Sequence, residues 1–82
     1  MTLKKVLVTD QPEVGRLIRE LRQITGLTQE QFAAALGVTF STINRWENGR
    51  SKPSPMAMAR IQEKFQELED DGQKLLDKYL SN

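Results

Sequence analysis

The sequence predicts an all-α fold, and three observations carry that prediction. Apolar residues recur at helical spacing in one segment after another. Ser, Thr or Asp stands at the head of each segment as a helix start, and the first three segments run into glycines, Gly26, Gly37 and Gly49. The chain has 82 residues, and at that length only ~60–65% of the unfolded surface is buried, so one core and few elements are expected.

Asp10, with Pro12 in the first turn and Glu13 three residues on, has the form of a capping box opening a helix over Gln11–Thr25. Val14, Leu17, Ile18 and Leu21 give that helix its buried face, and Gly26 followed by Leu27 fits a left-handed stop. Thr28 then caps a second helix, with Gln31 at the third helical position to reach back to the cap. Phe32, Ala33 and Leu36 are its inward stripe. Thr39 caps a third helix with Ile43 and Trp46 inward, which stops at Asn48-Gly49. After the basic loop Arg50–Pro53, Ser54 caps a fourth helix with Pro55 at its first position, running through Ile61, Phe65 and Leu68.

Asp70 and Gln73 can cap a fifth helix carrying Leu75, Leu76, Tyr79 and Leu80. Alternatively helices four and five are continuous, because Met58, Ile61, Phe65, Leu68, Gly72, Leu75 and Tyr79 alternate spacings of three and four, as a coiled-coil seam does. Gly72 argues against continuity, since glycine within a helix costs about 1 kcal/mol relative to alanine. Residues 1–9 read as an arm or as a short strand exchanged in a dimer, residues 10–68 as the main domain, and residues 69–82 as a C-terminal helix for dimerisation or contact with another protein.

Composition excludes much. There is no cysteine and no histidine, which removes disulfides, thiolate metal sites and the commonest metal ligand and acid–base group. No catalytic residue, metal site, cofactor or small-molecule ligand is expected. The acidic cluster Glu67, Glu69, Asp70 and Asp71 lacks the alternating ligand spacing of a calcium loop and reads as a solvated helix junction. No apolar run approaches the roughly 20 residues that span a bilayer, and the stretch Met1–Val8 is too short for a signal peptide, so a cytoplasmic protein without a membrane partner is expected. The net charge is only +1, but residues 1–60 hold nine Lys and Arg against five Asp and Glu, while residues 61–82 hold three against six. A basic front with an acidic tail suits a polyanion on one face and another role at the far end.

The most specific pattern lies within Thr28–Asn48. Counting Gln29 as the first position, apolar residues fall at the fourth (Phe32), eighth (Leu36), tenth (Val38), fifteenth (Ile43) and eighteenth (Trp46). Ala33 stands where two helices approach closely, and Gly37 at the turn between them, where positive φ is wanted. On these residues, together with Leu21-Arg22, Gly26–Ala33, Leu36–Val38 and Ile43–Gly49, the stretch from Val14 to Leu68 resembles the Cro/C1-type (XRE-like) helix-turn-helix family of phage repressors and bacterial transcriptional regulators. The resemblance implies a lambda-repressor-like five-helix DNA-binding domain that places its third helix in the major groove of double-stranded DNA, usually as a dimer.

With Ile43 and Trp46 inward, a turn of about 100° per residue puts Ser41, Asn44, Arg45 and Asn48 on the opposite side, with Thr39 and Phe40 at the leading end. The expected base contacts are therefore Thr39, Phe40, Ser41, Asn44 and Arg45: Asn44 to adenine, Arg45 to guanine or phosphate, and Phe40 either to a thymine methyl or partly into the core. Expected phosphate contacts are Thr28 and Gln29 at the start of helix two, as the family's glutamine there implies, and Asn48, Arg50, Ser51 and Lys52 on the other flank. Arg16, Arg19 and Lys4 or Lys5 are weaker phosphate candidates and read rather as plain surface. The resemblance also implies that Arg22 and Glu47 form a partly buried, structural ion pair. The implied function is that of a homodimeric transcriptional repressor on a palindromic operator; the alternative is an antitoxin that binds both DNA and a toxin protein.

Overall fold

Capping residues and glycines divide the chain as their chemistry requires. In the computed structural model, which describes residues 6–81, the elements run β1 (Val6–Leu7), α1 (Glu13–Thr25), α2 (Gln29–Leu36), α3 (Phe40–Glu47), α4 (Pro55–Glu67), α5 (Glu69–Lys78) and β2 (Leu80–Ser81). The all-α class holds, with one two-residue strand pair added at the termini. None of the helices among the described residues is long and apolar enough to cross a membrane.

Three starts use their own hydroxyls. Thr28 accepts from the Gln31 N–H at 3.1 Å while the Gln31 side chain accepts from the Thr28 N–H at 3.0 Å, completing the capping box. Thr39 accepts from the Thr42 N–H at 3.2 Å, and Ser54 from the Ala57 N–H at 3.2 Å. Between α2 and α3, Gly37 has φ of 73°, where a side chain would be strained. The guanidinium of Arg60 on α4 donates to the Leu36 carbonyl at 2.9 Å, so the end of α2 is tied to α4 as well.

The start of α1 differs from expectation. Pro12 is the N-cap residue and offers no side-chain cap, and Asp10 instead accepts from the Lys52 ammonium at 2.8 Å. Gln11, read from sequence as the first helical residue, lies outside the helix and ties it down from there. Its Oε1 accepts from the Gly15 N–H at 3.1 Å, and its Nε2 donates to the carbonyls of Trp46 at 2.9 Å and Ser51 at 2.7 Å.

The junction of α4 and α5 also differs. The helices are not continuous: Glu69 adopts φ of 52°, the chain turns back, and α5 packs against α4. Asp70 and Gln73 do not cap α5, whose N-cap residue is Leu68 with no side-chain bond; Gln73 donates instead to Asp77 at 2.8 Å. Gly72 allows the turn because a β-carbon there would clash with the Phe65 carbonyl oxygen. The apparent heptad seam is thus folded onto itself. Met58, Ile61 and Phe65 of α4 and Leu75 with Tyr79 share one core with Val14, Leu17, Ile18 and Leu21 of α1 and with Phe32, Leu36, Ile43 and Trp46.

The termini close the same core. Val6 stands opposite Ser81 and Leu7 opposite Leu80 in an antiparallel pair, the Val8 N–H donates to the Tyr79 carbonyl at 3.1 Å, and the Leu7 side chain is buried. The part of the arm spanning residues 1–5, with Lys4 and Lys5, lies outside the described residues.

Helix propensity and packing make opposite predictions for Gly72→Ala. Propensity alone would stabilise by about 1 kcal/mol, whereas forcing a methyl against the Phe65 carbonyl costs ~1–3 kcal/mol or more. The expected outcome is a lower thermal midpoint, by several degrees for a domain of this size, measured by circular dichroism.

Candidate nucleic-acid interface

Ile43 and Trp46 bury one side of α3, so its other side is left to solvent. Thr39, Phe40, Ser41 and Arg45 lie exposed there, and Phe40 keeps 46% of its surface accessible. Phe40 is therefore an outward residue and not part of the core. The Thr39 hydroxyl is engaged in capping, where it meets both the Thr42 N–H and the Thr42 hydroxyl, the latter at 2.9 Å.

Asn44 is placed otherwise than Arg45. It is half-buried and turned toward the start of α2, where its Nδ2 donates to Gln29 Oε1 at 3.3 Å. Its Oδ1 accepts from Asn48 Nδ2 at 3.1 Å. Gln29 in turn donates through Nε2 to Glu47 Oε1 at 3.1 Å. Thr28 is exposed beside Gln29, so the first turn of α2 and the outer side of α3 form one continuous surface.

Beyond α3, Asn48, Arg50 and Lys52 are exposed and Ser51 is half-buried. The loop is held by the Arg50 N–H donating to the Arg45 carbonyl at 2.9 Å and by Gln11 on the Ser51 carbonyl at 2.7 Å. The Lys52–Asp10 pair is well exposed on both sides and holds the loop weakly.

Behind this surface Glu47 is the one charged residue in the core among the described residues, and its side chain is completely inaccessible. Arg22 reaches it with a fork, Nε to Oε2 at 2.8 Å and Nη2 to Oε1 at 3.0 Å, and uses Nη1 on the Leu27 carbonyl at 3.2 Å. Arg19 adds a longer contact at 3.4 Å, so it is a partner of Glu47 and not plain surface as its sequence position suggested. Burial pushes the Glu47 carboxyl up, but the hydrogen bonds from Arg22 and Gln29, the Arg22 charge and the Arg19 contact outweigh it and hold the group below the usual carboxylate range. The bond to Glu47 raises the Arg22 guanidinium above its ordinary value.

Two features of this surface were not legible in sequence: the Gln11 brace and the link from Gln29 to Glu47. Each joins residues 18 or more positions apart, and no local pattern marks such a pair.

The helix-turn-helix family profile matches residues 18–70. An HTH-type transcriptional regulator of Methanothermobacter thermautotrophicus is 51% identical over 45 residues, covering 55% of this chain and 65% of that protein. The HTH-type transcriptional regulator YazB of Bacillus subtilis is 48% identical over 40 residues, covering 49% and 58%. The antitoxin PezA of Streptococcus pneumoniae is 36% identical over 52 residues, covering 63% of this chain and 33% of PezA. The chain thus spans between a third and two thirds of the length of these relatives. No solved structure matches it.

The buried carboxylate sets an acid limit on stability. Since the folded Glu47 titrates below its ordinary value of 4.5, the stability contributed by the ionised group is fully present above that pH and is lost as pH falls through the folded value. Glu47→Gln should lower stability by about 3 kcal/mol at pH 7, the cost of leaving Arg22 without its anion. The difference from wild type should shrink on acidification, read from urea midpoints at successive pH values.

Proposed function

The chain belongs to the Cro/C1-type (XRE-like) helix-turn-helix family, and on that premise we propose that it is a sequence-specific double-stranded DNA-binding regulator of transcription, a repressor acting as a homodimer on a palindromic operator. The observation that carries this reading is the outer side of α3: an exposed phenylalanine beside Ser41 and Arg45, on a helix fixed to the core by Ile43 and Trp46. Phe40 suits a thymine methyl, Arg45 the acceptor pair of guanine, and Asn44 the adenine edge. The free N–H groups at the start of α2, near Thr28 and Gln29, suit one phosphate, and Asn48, Arg50, Ser51 and Lys52 suit phosphates on the opposite flank.

Two copies would set their α3 helices in successive major grooves about 34–36 Å apart. Residues 69–82 would serve such pairing through the outward side of α5 and the half-buried Leu76 and Leu80, because Leu75 and Tyr79 belong to the chain's own core. The acidic Asp70, Asp71 and Asp77 keep this end away from phosphate.

A second reading, an antitoxin that binds a toxin protein as well as DNA, is favoured by the similarity to PezA. Its toxin contact would fall on the same end of the molecule. A mass measurement on the purified chain separates the two: a stable homodimer supports the first reading, and a monomer supports the second.

Selection of bound sequences from random DNA should return a symmetric motif. The double variant Asn44→Ala, Arg45→Ala should lose preference for that motif by roughly tenfold or more, since each good base pairing contributes ~1–3 kcal/mol of discrimination. Unchanged affinity and preference would mean that α3 does not read the bases.

A further inference from the structure

Among the described residues, the line of side chains Glu47, Gln29, Asn44 and Asn48 has a direction. A carboxylate only accepts hydrogen bonds, so the Gln29 amide must turn its NH2 group toward Glu47, at 3.1 Å. Its oxygen then faces away and can take only a donor, which Asn44 supplies through Nδ2 at 3.3 Å. Asn44 is thereby fixed in turn, with Oδ1 toward Asn48 Nδ2 at 3.1 Å. Each of these amides alone could rotate by half a turn and exchange oxygen for nitrogen. Anchoring the first to a fully buried carboxylate settles all three.

We infer that Gln29 is a positioning residue for base recognition: clamped by Glu47, it fixes the donor and acceptor order of Asn44, and through Asn44 that of Asn48, before DNA arrives. The inference rests on the DNA-binding reading above and goes beyond a phosphate contact by Gln29. Reading adenine requires an amide oxygen and an amide N–H in one order along the base edge, and the reverse order sets donor against donor. An unanchored asparagine presents both orders and loses rotational freedom on binding, whereas the relay removes both penalties in the free protein. One N–H of each amide remains uncommitted, so the relay and a DNA contact are compatible.

The role separates from phosphate binding by what it does to sequence preference. Wild type, Asn44→Ala, Arg45→Ala and Gln29→Leu are compared on the selected operator and all its single-base variants. The base pairs relaxed by Asn44→Ala define what Asn44 reads. Gln29→Leu, which keeps the reach of the side chain but neither donates nor accepts, should relax those same pairs by roughly 5- to 100-fold, while the pairs lost in Arg45→Ala keep their preference. Glu47→Gln, which frees Gln29 to rotate, should relax the same pairs at pH 7 wherever it remains folded.

In the free wild-type protein the Asn44 side-chain amide protons should exchange slowly and resonate apart from those of exposed asparagines. In folded Gln29→Leu they should revert. A uniform loss of affinity for every sequence, with preferences intact, would overturn the positioning role and leave Gln29 a phosphate ligand only, as would Asn44 amide protons unaltered by Gln29→Leu. Failure of the wild type to select any sequence would overturn the DNA-binding reading itself.

Discussion

A carboxylate buried at the end of α3 is the constraint around which this molecule is arranged. Glu47 lies at the C-terminal turn of its helix, where the helix dipole disfavours negative charge, and its side chain is shut off from water. Such a group persists only if cations and hydrogen-bond donors surround it. Arg22 and Arg19 of α1 and Gln29 of α2 supply them, so the need of one side chain sets α1, α2 and α3 in register. Gln11 fixes the same end of α3 from the other side by taking up the Trp46 carbonyl.

This arrangement bears on a helix that faces polyanionic DNA in the proposed function. An acidic residue near the end of α3 would repel phosphate if it stood in solvent. Held inward under a guanidinium fork, it orders the surface instead of opposing it. The same carboxylate anchors the amide line that ends on exposed Asn48. In the proposed function, stability and recognition would therefore share one interaction, with Gln29 as the link between them.

The far end of the molecule solves a different problem. A chain of 82 residues can bury only a small core, and its C-terminal segment adds Leu75, Leu76, Tyr79 and Leu80 to it. Folding α5 back over α4 brings Leu75 and Tyr79 to the face of α1, and the β1–β2 pair adds Leu7. The acidic residues of α5 stay outward.

Helices α2 and α3, the helix starts at Thr28, Thr39 and Ser54, the turn at Gly37 and the inward set Phe32, Ala33, Leu36, Ile43 and Trp46 were legible in sequence, because capping and amphipathic spacing act between near neighbours along the chain. The outward side of α3 follows from that inward set, and Phe40 and Arg45 were legible for the same reason. Other features depended on groups distant in sequence. Asp10 has the form of a cap, yet it pairs with Lys52 while Gln11 holds the start of α1. The seam through Met58, Phe65, Leu75 and Tyr79 matches one long helix as well as two separate ones packed on each other, because spacing records which residues share a face but not whether the chain turns between them. Only the close approach of Gly72 to Phe65 decided that, and only the packing of α1, α2 and α3 around Glu47 brought Gln29 to Asn44.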